Sequence, residues 1–392
     1  MEKSKKHICM LAYTFYEADN RVRRYAEALA SHGNTVEAYV LQNNYISNTS
    51  KSYSLNNVKV IGIQKRFLNE KSKFTYLSRI VSFLIKVSAR LIIAHIKKPY
   101  HVIHVHSIPD FAVFSAIIPK LFGAKVILDI HDIVPELFLT KFNLTENSTL
   151  FRALLLIEKL STRFADHVIV ANDIWKKKLI DRSVKEEKCT VFMNYPDTNI
   201  FYPKPRIRKD NRFILMYPGT LSKHQGINVA IHAFDKIKDK IPEAEFHIFG
   251  TGTDKSLLSK LIIKLDLTSH VFLKGAYPLE KIAEKIAEAD LCIEPKLNMG
   301  FADEAFSTKI FEFMAMGIPV IASDTSVHRY YLNPQVIRFF KSGDENDLAS
   351  AILDLYRNIS KRKELIRNSY KFIKSYNWNF HKERYFKIIE RL

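Results

Sequence analysis

Short apolar, β-branched runs alternate with longer helical patterns along the whole chain, and few architectures accept that rhythm. Candidate strands are His7–Ala12, Thr35–Leu41, Val58–Ile63, His101–His106, Lys125–Ile130, His167–Ala171 and Thr190–Met193. After a gap come Arg212–Tyr217, Glu245–Phe249, His270–Leu273, Asp290–Glu294 and Pro319–Ala322. Strand–helix alternation of this kind predicts α/β structure: doubly wound parallel sheets covered by helices on both faces. The gap, 194–211, is polar and basic and is stiffened by Pro196, Pro203 and Pro205. With 392 residues the chain is long enough for two such domains. Ligands are expected at the carboxyl ends of the strands, in a cleft that the two domains face.

The three cysteines, Cys9, Cys189 and Cys292, lie in apolar runs with no metal-ligand spacing, so core packing and a reducing compartment are expected. The start, Met-Glu-Lys-Ser-Lys-Lys, leads straight into a strand pattern and reads as lacking a signal peptide. No run reaches the roughly 18 apolar residues of a spanning helix. A net charge of +19 attracts polyanions, either nucleic acid or an anionic bilayer. From Lys65 to Lys98 there are nine basic residues and one acid, Glu70, among many large apolar ones. That segment reads either as a basic amphipathic helix for a membrane surface or as a crossover helix with solvated lysines. Basic residues and aromatics do not interleave as in an RNA-binding module, so nucleic acid is not expected as a partner.

Chemistry concentrates at Glu304-Ala-Phe-Ser-Thr-Lys-Ile-Phe-Glu312, followed by Phe-Met-Ala-Met-Gly-Ile-Pro-Val-Ile-Ala-Ser. Two carboxylates eight positions apart are too far for one helical face. With Glu304 on an entering loop and Glu312 a turn into the helix, they bracket a ligand instead. Between them, a helix N-terminus offers unpaired N–H groups and a positive dipole end to phosphate oxygens. Lys309 adds a point charge.

The pattern resembles the Glu-x7-Glu motif of family 4 retaining glycosyltransferases of the GT-B fold, two Rossmann-like domains across a cleft. The resemblance extends over essentially the whole chain. It implies an N-terminal acceptor domain, 1–200, a C-terminal nucleotide-sugar domain, 201–375, and a last helix, about 376–392, that returns to the first. It implies that Glu304 faces the donor sugar, that Phe306, Ser307 and Thr308 meet the pyrophosphate, and that Glu312 holds the ribose. The loop Tyr217-Pro-Gly219-Thr220-Leu-Ser-Lys223-His224-Gln225-Gly226 resembles the family's pyrophosphate loop, with a departure: Thr220 and Gln225 stand where the family has Arg and Lys. Lys223, His224 and Lys309 are the available substitutes. Gly250 and Gly252, in a strand-ending Gly-x-Gly, and Ala276 with Tyr277 resemble the frame around the nucleotide base. Tyr277 stacks on the base or is a half-buried strand-end aromatic.

In the first half, Asp19 and Arg21 follow the first strand, as acceptor contacts or, for Asp19, as a helix cap. His106 and His131 end two strands and should open on the cleft, though a strand-end histidine is often structural. The resemblance places His131 on the donor sugar or its phosphate and favours it over His106. Asp110, Asp132 and Glu136 are candidate acceptor contacts. No Asp-x-Asp or His/Cys cluster offers a metal site in the sequence, so no obligatory metal is expected, and no cofactor beyond the UDP- or GDP-sugar donor.

The resemblance thus implies a retaining, metal-independent glycosyltransferase acting on a saccharide or lipid-linked acceptor in cell-surface polysaccharide or glycolipid synthesis. Its expected place is cytoplasmic, peripheral at the inner face of the plasma membrane. The alternatives are a sugar-nucleotide 2-epimerase of the same architecture, separable by its indifference to an acceptor, and a non-catalytic homologue.

Overall fold

The computed structural model describes residues 5–42, 52–65, 73–142 and 144–392. The chain forms two compact units, Met1–Asn194 with Lys382–Leu392, and Tyr195–His381. Residues 66–72 of the basic segment lie outside the described residues.

The first unit is built on an eight-stranded sheet. Its strands are β1 (His7–Phe15), β2 (Thr35–Gln42), β3 (Ser52–Leu55), β4 (Val58–Lys65), β5 (Val102–His106), β6 (Lys125–Ile130), β7 (His167–Val170) and β8 (Cys189–Val191). Their order is β3-β4-β2-β1-β5-β6-β7-β8. All pairs are parallel except β3 with β4. Parallel strands are covered on both faces, so they read as unbroken apolar runs; Ile8, Cys9, Met10 and Leu11 are fully buried. Strand β3 escapes such a reading. It is an edge strand of alternating exposure, joined to β4 through Asn56 and Asn57, both at positive φ as a two-residue hairpin turn requires.

The second unit carries a six-stranded parallel sheet. Its strands are β9 (Phe213–Pro218), β10 (Ala244–Phe249), β11 (Val271–Lys274), β12 (Leu291–Glu294), β13 (Val320–Ser323) and β14 (Arg338–Phe340). They run in the order β11-β10-β9-β12-β13-β14. Three-residue β14 was too short to announce itself. The α/β architecture is that of two doubly wound, Rossmann-like domains. In each sheet one strand sits where the winding reverses: β1 between β2 and β5, and β9 between β10 and β12. Crevices open at the carboxyl ends of such strands.

All three cysteines are buried free thiols. Among the described residues, no helix is long and apolar enough to cross a membrane. The basic segment becomes helix Lys73–Lys97, which satisfies its packing role with Ile80, Phe83, Val87 and Leu91 buried. A second apolar row, Leu77, Val81 and Ile85 with Ile93 and Ile96, stays exposed.

Candidate active site

In the second unit, the chain leaving β12 passes helix Phe301–Glu304 and then enters helix Thr308–Ala315. Ser307 is the N-cap, but its side chain makes no capping bond, so the first-turn amides are not spent on it. Lys309 turns from that first turn to the switch point. Its Nζ lies 3.1 Å from Oε2 of Glu294, the fully buried last residue of β12. It also lies 3.4 Å from Gln225 Oε1 and 5.0 Å from the centre of the Tyr217 ring. A side-chain carbon at Gly219 would come within 3.1 Å of the ammonium and 2.9 Å of the Tyr217 hydroxyl. A lysine from outside the loop thus stands beside Gln225, one of the two positions where the loop departs from the resembled pattern. Burial opposes the charge on Lys309, but the Glu294 carboxylate more than compensates and raises its pKa.

Glu312, one turn further on, is half-buried. Burial pushes its carboxyl up to about 7, Lys309 pulls it down, and Glu294 adds to the rise. Glu304 closes the short helix and is half-buried. Thr308 opens the longer helix. The Phe306 ring is spent on packing against Phe311, Tyr331 and His328, leaving its main chain to a ligand.

Gly250 and Gly252 have a packing role. A side-chain carbon at Gly250 would sit 1.8 Å from Gly219 O, and one at Gly252 2.1 Å from Leu221 O. They let the loops after β9 and β10 press together. Gly219 itself donates its N–H to Phe249 O, 2.9 Å, extending the ladder. Thr220 is exposed and its carbonyl accepts from the Tyr217 hydroxyl, 3.0 Å. Lys223 and His224 are exposed on the turn before Gly226. Ala276 is exposed, and Tyr277 is 45% exposed with an edge contact to Phe249. Lys296, buried just after β12 and bonded to Ala305 O, steadies the approach to Ser307. It was not singled out in the sequence, where it is one lysine among many.

In the first unit, the switch point holds a pocket of about 220 Å³ lined by Ala12, Tyr13, Thr14, Asp19, His106, Ser107 and Ile108. Asp19 reaches it as a helix cap, accepting from Arg21 N and Val22 N at 3.1 Å. Arg21 is not an acceptor contact. It is 4% exposed and bonds both oxygens of Asp129 at 2.6 and 2.8 Å, Phe192 O at 2.8 Å and Asn194 Oδ1 at 2.9 Å. Glu136 is likewise withdrawn from the acceptor role, since both its oxygens bond Arg182, which also holds Glu158. Asp110 is buried, and that burial, with Glu158 nearby, pushes its carboxyl up to about 7. Asp132 is half-buried beside His131.

His106 and His131 come together on one oxygen: His106 Nδ1 and His131 Nε2 each lie 3.1 Å from Asp129 Oδ2. The sequence offered no metal cluster, yet ligand atoms of His104, His106 and Asp129 lie within 4.8 Å of one another. Both Asp129 oxygens are already held by Arg21, so a metal ion there would meet a guanidinium. Asp129 was missed as a functional residue. The signal was present: His104 and His106 alternate onto one face of β5, and Asp129 is the register partner of His106.

Two family models cover nearly the whole chain: a glycosyl transferase 4-like domain over residues 18–194, and glycosyl transferases group 1 over 199–372. The chain belongs to the group 1 glycosyltransferases. A similar relative is the putative colanic acid biosynthesis glycosyltransferase WcaL of Escherichia coli, 26% identical over 189 residues. That match covers 47% of this chain and 45% of the relative, so the chain aligns with about half the relative's length. Among solved structures, sucrose-phosphate synthase from Thermosynechococcus elongatus superposes with a TM-score of 0.79 at 19% identity, covering 98% and 99% of the two chains. Anabaena HepE in complex with UDP-glucose superposes at 0.74 and 16% identity, covering 98% and 100%. These likenesses establish the GT-B fold of this group 1 member.

Proposed function

We propose that this chain is a retaining, metal-independent family 4 enzyme that moves a sugar from a nucleoside-diphosphate sugar to a saccharide or lipid-linked hydroxyl in polysaccharide synthesis. One observation carries the reading: the Lys309 ammonium, fixed by Glu294, stands in the loop 219–226 at the start of helix Thr308–Ala315. The donor's pyrophosphate would lie against that ammonium and the first-turn amides, the sugar against Glu304 and the ribose against Glu312. UDP-glucose bound to HepE and the putative role of WcaL in colanic acid biosynthesis support this donor class and pathway type.

The acceptor oxygen bonds to the anomeric carbon on the face from which the diphosphate leaves. The carbon–oxygen bond to the diphosphate breaks with its electron pair on the phosphate, and a phosphate oxygen takes the acceptor's proton. Helix amides and Lys309 stabilise the charge developing on the leaving group, the preorganised electrostatics that dominate many such reactions.

A thermal-shift screen of nucleoside diphosphates and their sugars tests the donor, because a ligand of the folded state raises stability by mass action. One nucleotide sugar is expected to raise Tm with EDTA present, and its product is expected to keep the donor's anomeric configuration. Indifference to every nucleotide sugar, or an inverted product, removes the reading.

The exposed row Leu77, Val81, Ile85, Ile93 and Ile96, beside exposed Lys86, Arg90, Lys97 and Lys98, supports docking on an anionic membrane at the cytoplasmic face. Exposed Leu121 and Phe122, on an element packed against that helix, extend the surface. Co-sedimentation with anionic vesicles is expected, weakened by Ile85→Glu. Equal binding to neutral vesicles contradicts it.

A further inference from the structure

The chemistry above leaves unused the charged cluster beside the first unit's pocket. Asp129 is fully buried and its two oxygens receive four donors: Arg21 Nη2 on Oδ1, and Arg21 Nε, His106 Nδ1 and His131 Nε2 on Oδ2. An ionised carboxylate only accepts, so each histidine nitrogen facing it must carry a hydrogen. The two nitrogens are 3.2 Å apart, within reach of each other, but a bare nitrogen on either ring would set its lone pair against the carboxylate oxygen 3.1 Å away. Arg21 already balances the charge of Asp129, so a proton added to either ring would put an uncompensated charge into a buried cluster. Burial lowers the pKa of His106 and of His104, which stacks on it at 4.2 Å. Each ring therefore presents one bare nitrogen. That of His106 is Nε2, buried and without a hydrogen-bond partner among the described residues, on a residue lining the pocket. That of His131 is Nδ1, on a side chain 19% exposed.

We propose that the Arg21–Asp129 pair is a positioning device that holds His106 as its Nδ1–H tautomer and His131 as its Nε2–H tautomer, so that this site offers lone pairs to the hydroxyl groups of a neutral saccharide and not donors to an anion. The saccharide as ligand rests on the glycosyltransferase reading; the tautomers do not. A phosphate oxygen approaching either bare nitrogen meets lone pair against lone pair. A sugar hydroxyl donates to it.

Nitrogen-15 spectra of the full-length, histidine-labelled protein distinguish the two tautomers and the cation, with His106→Gln and His131→Gln for assignment. The expected result is Nδ1–H at 106 and Nε2–H at 131 at pH 7.5, unchanged by inorganic phosphate. The opposite tautomer at either ring, or an imidazolium at 131 with phosphate added, overturns the proposal. Asp129→Asn is expected to leave His131 in a mixture of tautomers. If that variant does not fold, Arg21→Met with Asp129→Leu removes the same anchor without a lone buried charge. A His131 still fixed as Nε2–H in the folded variant also overturns the proposal. In the assay the folded variant should raise the saccharide KM about tenfold or more and leave the nucleotide-sugar KM unchanged. Should no transfer activity exist, the spectra still decide the tautomers.

Discussion

Each sheet ends a strand with a fully buried acid and answers it with a cation from a neighbouring helix, but the two pairs are finished differently. Arg21 spends its donors on both oxygens of Asp129, on Phe192 O and on Asn194, and keeps 4% of its surface. Lys309 takes one oxygen of Glu294, has Gln225 at the outer limit of a hydrogen bond, and leaves 16% of its side chain exposed. A buried pair whose hydrogen bonds are exhausted serves the fold and whatever it positions. One with unspent capacity, beside uncapped helix amides, is built to receive something. Charge and motif alone do not separate the two cases, since Arg21 and Lys309 both stand in family-like motifs; the count of satisfied donors does.

The largest effect that sharpens this contrast is on turnover. Lys309→Met alone strands Glu294 as an unpaired buried charge, which costs about 3–5 kcal/mol, so activity should be read in Lys309→Met with Glu294→Gln. That double variant is expected to melt within a few degrees of wild type and to lose about 100-fold or more in kcat, as deletion of one anion contact costs about 2.7–4 kcal/mol. Glu304→Ala should match it in size. A folded double variant with wild-type kcat breaks the idea that the second pair is the receptive one. Next is stability in the first unit. Asp129→Ala leaves Arg21 buried and unpaired and is expected to cost about 3–5 kcal/mol in urea denaturation, while Asp129→Leu with Arg21→Met recovers most of it. A neutral single variant would show that the first pair is not sealed after all.

Much of this was legible in the sequence. The apolar runs marked parallel strands because both faces of such sheets are covered, and the Pro-stiffened stretch near 194–211 marked the change of unit. The Glu304–Glu312 segment announced the start of a helix at Thr308, although Glu304 ends a short helix of its own rather than lying on a loop. What the sequence hid was who answers whom. Gln225 read as the loss of a cation with Lys223, His224 and Lys309 as substitutes, and the fold brings Lys309, 84 positions on, beside it. Arg21 read as a ligand contact because a charged residue after a strand often is one. Its partner Asp129, 108 positions away, becomes visible only once β5 and β6 are in register. Gly250 and Gly252 read as part of a frame around a nucleotide base, and the fold shows their close packing against a neighbouring loop as well. Long-range pairing carried the misses, and local pattern carried the rest.

The smallest predicted effect separates single carboxylates of the two units by pH. Glu312 is raised to about 7 from 4.5. The stability it contributes is therefore complete below about 4.5 and is lost as pH rises through 7, on the order of 3 kcal/mol by linkage. Asp129 runs the other way: Arg21 and the histidines overcome its burial and hold its pKa well below the ordinary value, so its contribution is present at neutral pH and lost only in acid. Lys309, raised above 10.5, changes nothing in this window. Unfolding of a two-unit chain need not be a single transition, so each unit is best followed by its own hydrogen-exchange protection. From pH 5.5 to 8.5 without nucleotide both units should weaken, the first through buried Asp110, which is also raised to about 7, and Glu312→Gln should flatten the slope of the second alone. An unchanged slope of the second unit in that variant would mean that Glu312 is already ionised and solvated. The carboxylate proposed to hold the ribose would then stand open to water before any ligand arrives.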